Sequence, residues 1–217
     1  GTGTLTLGGA SANTFTGATT VSEGTLATTT AGRFTTTSGV SVAAGATLRL
    51  GANETLNSLS TINTVGPTTG STINLNGSGV VLSLGSGVTS LKGIVSGTGN
   101  LTKNSTGTLT LDAAGAFSHS GTTTISNGTL AYAADDQLVG PVVVSGGTFA
   151  ISTFNDTVAS VQLTGGSITG TTGVLTSSAT FDVQSGTVSA ILAGAVGLTK
   201  STAGSVTLSG ANTYTGA

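Results

Sequence analysis

Residues that could carry out chemistry are few in this chain of 217 residues, because charged side chains make up only 6% of it. His119 is the one histidine, and Asp135-Asp136 is the one pair of adjacent carboxylates. A histidine can act as a general base or bind a metal. Paired carboxylates can hydrolyse glycosidic bonds or, with further oxygen ligands, hold calcium. These residues are therefore the first candidates for a catalytic or metal site.

Alignment of the chain with itself favours a structural role for the histidine. Residues 2–27 match residues 106–131 without a gap, which places His119 opposite Phe15 and, in a third copy, opposite Tyr214. Because three different rings occupy this position, we expect its side chain to pack as a flat ring against a turn or a neighbouring strand. No Asp, Glu or second His lies within a few residues to complete a metal site. We predict that His119 is neither catalytic nor a metal ligand.

The remaining polar motifs give weaker signals. Asp135-Asp136 lies between Tyr132 and Val139, where we expect an ordinary solvated loop. The stretch 194–201 resembles a phosphate-binding loop, but its lysine follows Thr199 instead of glycine and no helix is predicted after it. Asn-x-Thr sequons at Asn53, Asn100 and Asn155 are expected by chance in so threonine-rich a chain. We predict no catalytic, cofactor-binding or metal-binding residues.

Thr-x-Thr pairs are the one recurrent surface motif. Some β-solenoids that bind ice carry flat arrays of Thr-x-Thr pairs. The pairs in this chain would resemble such an array only if they recurred on every turn of one face. In this chain they cluster at repeats of about 100 residues and are missing between them, so we do not expect ice binding. The pairs begin at Thr4, Thr14, Thr108, Thr122 and Thr213.

Composition points to a folded chain. Hydrophobic residues reach 36%, which is far from the regime of intrinsic disorder. The formal net charge is −2 and the five basic residues are scattered, which argues against a nucleic-acid partner. Cysteine is absent, which fits an exported chain but also many small cytosolic proteins, and no apolar run is long enough for a membrane helix.

The elements that must position these side chains are short strands. Apolar residues alternate with Thr, Ser or Asn in runs of four to six that Gly or Asn terminates, whereas Gly, Thr and Ser interrupt every candidate helix. Tight hairpin pairs are limited to Asn76-Gly77 and Asn127-Gly128, and the second is better interpreted as a corner with a positive φ at glycine. The sequence therefore predicts an all-β parallel solenoid with about 20 residues per turn and on the order of 10 turns.

One sequence string recurs along the chain. Leu101–Leu111 reappears almost unchanged as Leu198–Leu208, and its second half opens the chain as Gly3–Leu7. The repeat motifs lie near residues 2–27, 101–131 and 198–217. We expect residues 1–217 to form a single continuous solenoid segment, cut at both ends from a longer repeat array.

The repeated string resembles the passenger-associated transport repeat of autotransporter proteins. The resemblance rests on Leu198–Gly216, together with Thr14–Leu26, and the intervening stretch Ile94–Leu101 resembles what lies between such repeats. It implies a right-handed parallel β-helix in a large secreted or surface-displayed protein of a Gram-negative bacterium. It also implies a scaffold and no enzymatic activity.

Together these features indicate a non-catalytic extracellular scaffold that acts as a stalk, fibre or adhesive surface. The expected partners are further copies of the chain, joined end to end or laterally, and surface glycans or matrix. We expect no cofactor, no nucleic acid and no insertion of this segment into a membrane. The alternative is a carbohydrate-binding or carbohydrate-cleaving β-helix, which predicts a groove lined with clustered acids and aromatic rings.

Overall fold

A computed structural model describes residues 1–11, 13–34, 39–61, 70–77, 79, 81–86, 90–112 and 117–216. Within these ranges every regular element is a β-strand, and the all-β prediction is confirmed. The strands are β1 Thr4–Leu7, β2 Thr19–Val21, β3 Thr25–Thr28, β4 Val40–Val42, β5 Thr47–Leu50, β6 Glu54–Leu56, β7 Leu59–Thr61, β8 Thr72–Leu75, β9 Val81–Leu84, β10 Ser90–Leu91, β11 Ile94–Gly97, β12 Asn100–Lys103, β13 Thr108–Leu111, β14 Thr123–Ile125, β15 Thr129–Tyr132, β16 Val142–Ser152, β17 Asp156–Val158, β18 Val161–Gly170, β19 Val174–Ser177, β20 Phe181–Val183, β21 Gly186–Val188, β22 Ile191–Ala193, β23 Leu198–Thr199 and β24 Val206–Leu208.

Each strand pairs in parallel with a strand about one turn further along the chain. Thr4 lies opposite Thr25, and Leu130 lies opposite Phe149. The strands therefore stack as a β-solenoid of about 9 turns, as the spacing of the apolar runs predicts. Because each backbone N–H and C=O is directed along the stack, one turn satisfies the hydrogen-bonding groups of the next.

The strands form four sheets. The longest has 13 strands and contains β16 and β18, which bend through register shifts so that each pairs on two sides of the coil. The start of β16 pairs with β14, whereas its second half pairs with β15. The other sheets are β1-β3-β5-β8-β11, β2-β4-β7 and β17-β19-β22.

A single apolar core fills the coil. In β13, β15, β16, β18 and β21 the residue after an outward Thr or Ser points inward, and these inward residues stack directly on one another from turn to turn. They are Leu109, Leu130, Phe149, Ile168 and Val188, and each is at most 1% exposed. The ring of Tyr132 meets that of Phe149 edge to face at 5.2 Å. The alternation predicted from sequence is thus the packing that holds the turns together.

The corner that precedes β15 requires glycine. Gly128 has φ +64°, and a Cβ there would lie 2.3 Å from the Ser105 carbonyl oxygen. Gly166, before the end of β18, has φ +82°, and a Cβ would lie 2.1 Å from the oxygen of Gly147. A positive φ is costly for other residues. The predicted Asn127-Gly128 corner is therefore confirmed, and it recurs on later turns.

One side of the coil is interrupted. Phe117 forms a parallel bridge with Val95 of β11, and the strands resume on this side only at β17. Between these two points, residues 133–141 contain no strand, although they occupy the same position in the turn. The interruption brings Asp135 and Asp136 to the surface.

Candidate binding surface

The most regular surface of the molecule is a column of hydroxyl-bearing side chains on the long sheet. Its members occupy paired positions on six successive turns, and we call this column the hydroxyl ladder. It consists of Thr108, Thr129, Thr148, Ser167, Thr187 and Thr207.

The local sequence explains why the ladder forms. Five of the six hydroxyl residues follow a glycine, Thr207 follows Val206 of its own strand, and each precedes an apolar residue such as Leu130 or Phe149. Because side chains alternate along a strand, the apolar residue enters the core and the hydroxyl residue faces outward. Parallel pairing then repeats the hydroxyl every ~4.8 Å along the rod.

A second outward column runs beside the ladder and is also free of charge. It contains Thr110, Ala131, Ala150 and Thr169 at paired positions, followed by Ser189 and Ser209 just after their strands. Thr148 and Ser167 share a hydrogen bond of 3.0 Å. The hydroxyls of Thr108, Thr129, Thr187 and Thr207 have no hydrogen-bond partner within the described ranges, so they are free to bind solvent or a ligand.

This surface was missed because strict Thr-x-Thr pairs were the wrong pattern to follow. Such pairs do cluster at the long repeats, but the leading hydroxyl recurs on every turn from β13 to β24. The signal that finds it is a small corner residue, then Thr or Ser, then an apolar residue, repeated every 20 residues or so.

A shorter column of the same kind occupies another side of the rod. Thr4, Thr25, Thr47 and Thr72 are paired on β1, β3, β5 and β8. The next strand on that side, β11, begins with Ile94 and ends the column. The motif then resumes on β13, which stacks on β10 and not on β11. The shorter column and the hydroxyl ladder therefore lie on different sides of the coil.

His119 lies in the core wall, as the aromatic alignment suggests. Its side chain is 0% exposed, Nε2 lies 3.0 Å from the hydroxyl of Thr123, and Nδ1 has no hydrogen-bond partner in the described chain. Burial lowers the pKa of His119 to about 4. The corresponding Tyr214 packs against Phe181 at 6.0 Å. The prediction that His119 is not catalytic stays a prediction, and this geometry is that of a packed ring.

Asp135 and Asp136 are exposed, which agrees with the loop predicted for them. Asp135 accepts a hydrogen bond from the backbone N–H of Asn155 at 2.7 Å, and Asp136 has φ 51°. The acid that sequence analysis missed is Asp156, which is 3% exposed and accepts hydrogen bonds from the Tyr132 hydroxyl and the Leu138 N–H at 2.5 and 3.0 Å. Its pKa is raised, mainly by burial. Asp156 therefore supplies an acceptor where residues 133–141 provide no strand.

Glu54 has the same role nearer the N-terminus. It is 2% exposed, and its two carboxylate oxygens accept the backbone N–H groups of Arg33 and Phe34 at 3.0 and 3.3 Å. Burial raises the pKa of Glu54, and the two hydrogen bonds and the charge of Arg33 oppose that change. Arg33 is itself buried and donates to the carbonyls of Ala31 and Ser11. Both buried side chains are thus part of the fold, and each bonds to backbone groups.

Two equivalent lysines of the repeat differ in their surroundings. Lys103 is 1% exposed, and its Nζ donates to the carbonyls of Ser105 and, at 3.2 Å, Asn127. Lys200 is exposed and donates to the carbonyl of Thr202. No helix follows Lys200 in the described chain, so the phosphate-loop geometry is not formed there.

The three sequon asparagines share a structural role. Asn53 and Asn155 precede a strand, Asn100 begins one, and each side-chain oxygen accepts a backbone N–H from the following turn. The pairs are Asn53 with Val81 at 2.8 Å, Asn100 with Thr122 at 2.8 Å, and Asn155 with Val174 at 3.0 Å. These asparagines therefore link successive turns at their corners.

The part of the chain that the structure describes contains no group of three or more His, Cys, Asp or Glu side chains placed to hold a metal ion. Its acids are instead spread along the rod or used as backbone acceptors. No helix of sufficient length and apolarity to cross a membrane is found among these residues.

Comparison with protein families identifies the repeat. The family model described as passenger-associated-transport-repeat matches residues 1–27, 101–131 and 198–217. These are the three segments that self-alignment picks out, and the resemblance inferred from them is confirmed. Comparisons with curated proteins and with solved structures give no match.

Proposed function

We propose that a chain with three passenger-associated transport repeats and this stack of parallel turns is a non-catalytic scaffold of the bacterial exterior. The repeat family suggests an autotransporter-passenger type of β-helix. The solenoid supplies a stiff rod, since every turn is hydrogen-bonded to its neighbours and length grows by the addition of turns. Its role would be to carry adhesive surfaces away from a Gram-negative cell.

The observation that carries the adhesive part of this proposal is the hydroxyl ladder. It offers hydroxyl groups at a fixed spacing on six turns, without a charged side chain in either outward column. A single hydroxyl contact is weak, but contacts along a repeating ligand add through multivalency. A glycan chain has the matching property, because it repeats its own hydroxyl groups along its length.

A pair of triple variants tests this surface. Thr129→Gln, Thr148→Gln and Thr187→Gln together place longer uncharged side chains on the ladder. The matched control carries Thr102→Gln, Thr124→Gln and Thr199→Gln on the neighbouring side of the same sheet, at residues of comparable exposure. We expect retention on immobilised glycans and matrix, measured by surface plasmon resonance, to fall at least about tenfold in the ladder variant alone.

Equal loss in both variants, or no retention of the parent chain by any glycan or matrix, would reject adhesion through the ladder. Incubation with the same polysaccharides tests the alternative function. Shortening of any polysaccharide by the purified chain would contradict the non-catalytic proposal.

Self-association is the second part of the proposal. Leu5 of β1 is 64% exposed beside a cavity of about 790 Å³. A second copy that packs there would bury this apolar side chain. We expect Leu5→Lys to reduce concentration-dependent assembly in sedimentation velocity. Val139→Lys, at an apolar residue that is 51% exposed elsewhere, should leave it unchanged. Monomers at all concentrations of the parent chain would reject this part.

A further inference from the structure

The corner between β14 and β15 combines three features that favour one chemical modification. Asn127 is exposed and is followed by Gly128, which has no side chain to obstruct its amide nitrogen. The N–H of Gly128 donates to the Asn127 side chain, and the distance from the Gly128 nitrogen to Asn127 Oδ1 is 2.8 Å. The nitrogen and the side-chain carboxamide that react in asparagine deamidation are therefore already adjacent.

The third feature is the ammonium group of Lys103. Its Nζ donates to the Asn127 carbonyl oxygen at 3.2 Å, and a Cβ on Gly128 would lie only 2.7 Å from it. That carbonyl and the Gly128 N–H belong to the same peptide group. A cation on the oxygen stabilises the negative charge that the peptide group carries when its nitrogen loses a proton. Lys103 is 1% exposed, so little water screens its charge, and the same burial lowers the pKa of its ammonium group.

We propose that Asn127-Gly128 is a site of spontaneous deamidation, in which Lys103 promotes ring closure. The Gly128 nitrogen gives its proton to solvent base and attacks Cγ of Asn127. The new N–Cγ bond forms as the Cγ–Nδ2 bond breaks, and ammonia leaves. Water then opens the succinimide ring at either carbonyl to give aspartate or isoaspartate. The net reaction consumes one water and releases one ammonia.

The first copy of the repeat shows that an acid fits this corner. Glu23 aligns with Asn127 and likewise precedes a glycine with a positive φ, Gly24. The aspartate product therefore retains the corner and places a carboxylate near the ammonium group of Lys103, which donates to the Asn127 carbonyl. The isoaspartate product lengthens the main chain and moves the residue-127 carbonyl away from Lys103.

The chain contains its own control in Asn76-Gly77. Asn76 is also exposed and Gly77 also has a positive φ, but the Gly77 N–H donates to the Leu75 carbonyl at 3.0 Å. No lysine or arginine in the described ranges donates to the Asn76 carbonyl. The Gly77 N–H is therefore directed at the backbone and not at the Asn76 side chain, and attack by its nitrogen has no cation to assist it.

The test compares the two sites in one sample of the folded chain, incubated at mildly alkaline pH and sampled over time. Peptide mass spectrometry quantifies aspartate and isoaspartate at each site. We expect deamidation at Asn127 to be at least about fivefold faster than at Asn76, and this ratio to fall to about one in denaturant, where only the shared Asn-Gly sequence remains. Equal rates in the folded chain, or faster reaction at Asn76, would overturn the proposal.

Lys103→Met tests the role of the ammonium group. If circular dichroism shows a folded variant, its rate at Asn127 should fall towards that at Asn76, and an unchanged rate would remove Lys103 from the proposal. If the variant does not fold, the comparison of folded and denatured parent chain still decides whether the corner is the reactive site.

Discussion

Two regions of this solenoid satisfy their backbone hydrogen-bonding groups in opposite ways. On the ladder side, from β13 to β24, every turn supplies a strand, and backbone groups satisfy one another. Around residues 133–141 and near Arg33 the strand is missing, and the buried carboxylates of Asp156 and Glu54 accept the backbone N–H groups instead. Regular turns therefore depend on the absence of side chains at corners, whereas irregular turns depend on the presence of one particular side chain.

The largest expected effect concerns the regular side. Gly166→Ala places a Cβ 2.1 Å from the Gly147 carbonyl oxygen at a φ of +82°. We expect it to lower the free energy of unfolding by more than about 3 kcal/mol. Gly107→Ala is the control, because its Cβ meets nothing within 4 Å. Chemical denaturation of both variants measures the difference, and equal stabilities would contradict the glycine requirement.

The irregular side is tested at Asp156. Asp156→Ala leaves the Tyr132 hydroxyl and the Leu138 N–H without their acceptor in a buried place, and should cost about 2 to 4 kcal/mol. Asp135→Ala removes an exposed acceptor that water can replace, and should cost less than about 1 kcal/mol.

A double-mutant cycle then separates the two donors. Tyr132→Phe should destabilise the parent chain by about 1 kcal/mol and the Asp156→Ala variant by much less. Additive losses would show that the hydroxyl and the carboxylate do not interact.

Lowering the pH should have an intermediate effect on the free energy of unfolding, through protonation of His119. The pKa of this histidine is lowered to about 4 by burial, so the unfolded chain takes up a proton at higher pH than the folded chain does. Its contribution to stability is therefore lost as pH falls from about 6.5 to about 4, and amounts to about 3 kcal/mol. Glu54 and Asp156, whose pKa values are raised, act in the opposite direction.

Comparison with His119→Phe isolates the histidine, since both acids remain. The two proteins should differ by no more than about 1 kcal/mol at pH 7, where only the hydrogen bond to Thr123 is lost. At pH 4 the variant should be the more stable. Parallel stability curves over this pH range would contradict the pKa assigned to burial.

The smallest effect is expected on the ladder itself. Thr148→Val removes the 3.0 Å hydrogen bond to Ser167 but keeps a β-branched side chain on the strand. We expect a change of about 0.5 kcal/mol or less in the free energy of unfolding. Thr124→Val, on the neighbouring side of the sheet, is the control. A large loss at Thr148 alone would mean that the ladder stabilises the rod as well as forming its surface.

Most of the fold could be predicted from the sequence, because it follows from local rules. Alternating apolar residues predict the strands, and Asn127-Gly128 predicts a corner. Asp156 could not be predicted, because an isolated acid has no sequence signature and its partners Tyr132 and Leu138 belong to the preceding turn. The ladder was missed for a related reason: it joins single residues on six turns, and only the pairing register shows that they align.

The displacement of the threonine column between β8 and β13 has a consequence for how such a rod would meet its surroundings. A ligand that lies along Thr4 to Thr72 cannot continue onto Thr108 to Thr207 without passing around the rod. Two straight partners can instead lie on different sides of one molecule. If the adhesive function proposed above holds, such a rod would hold two glycan chains on different sides at once, and would not only coat one of them.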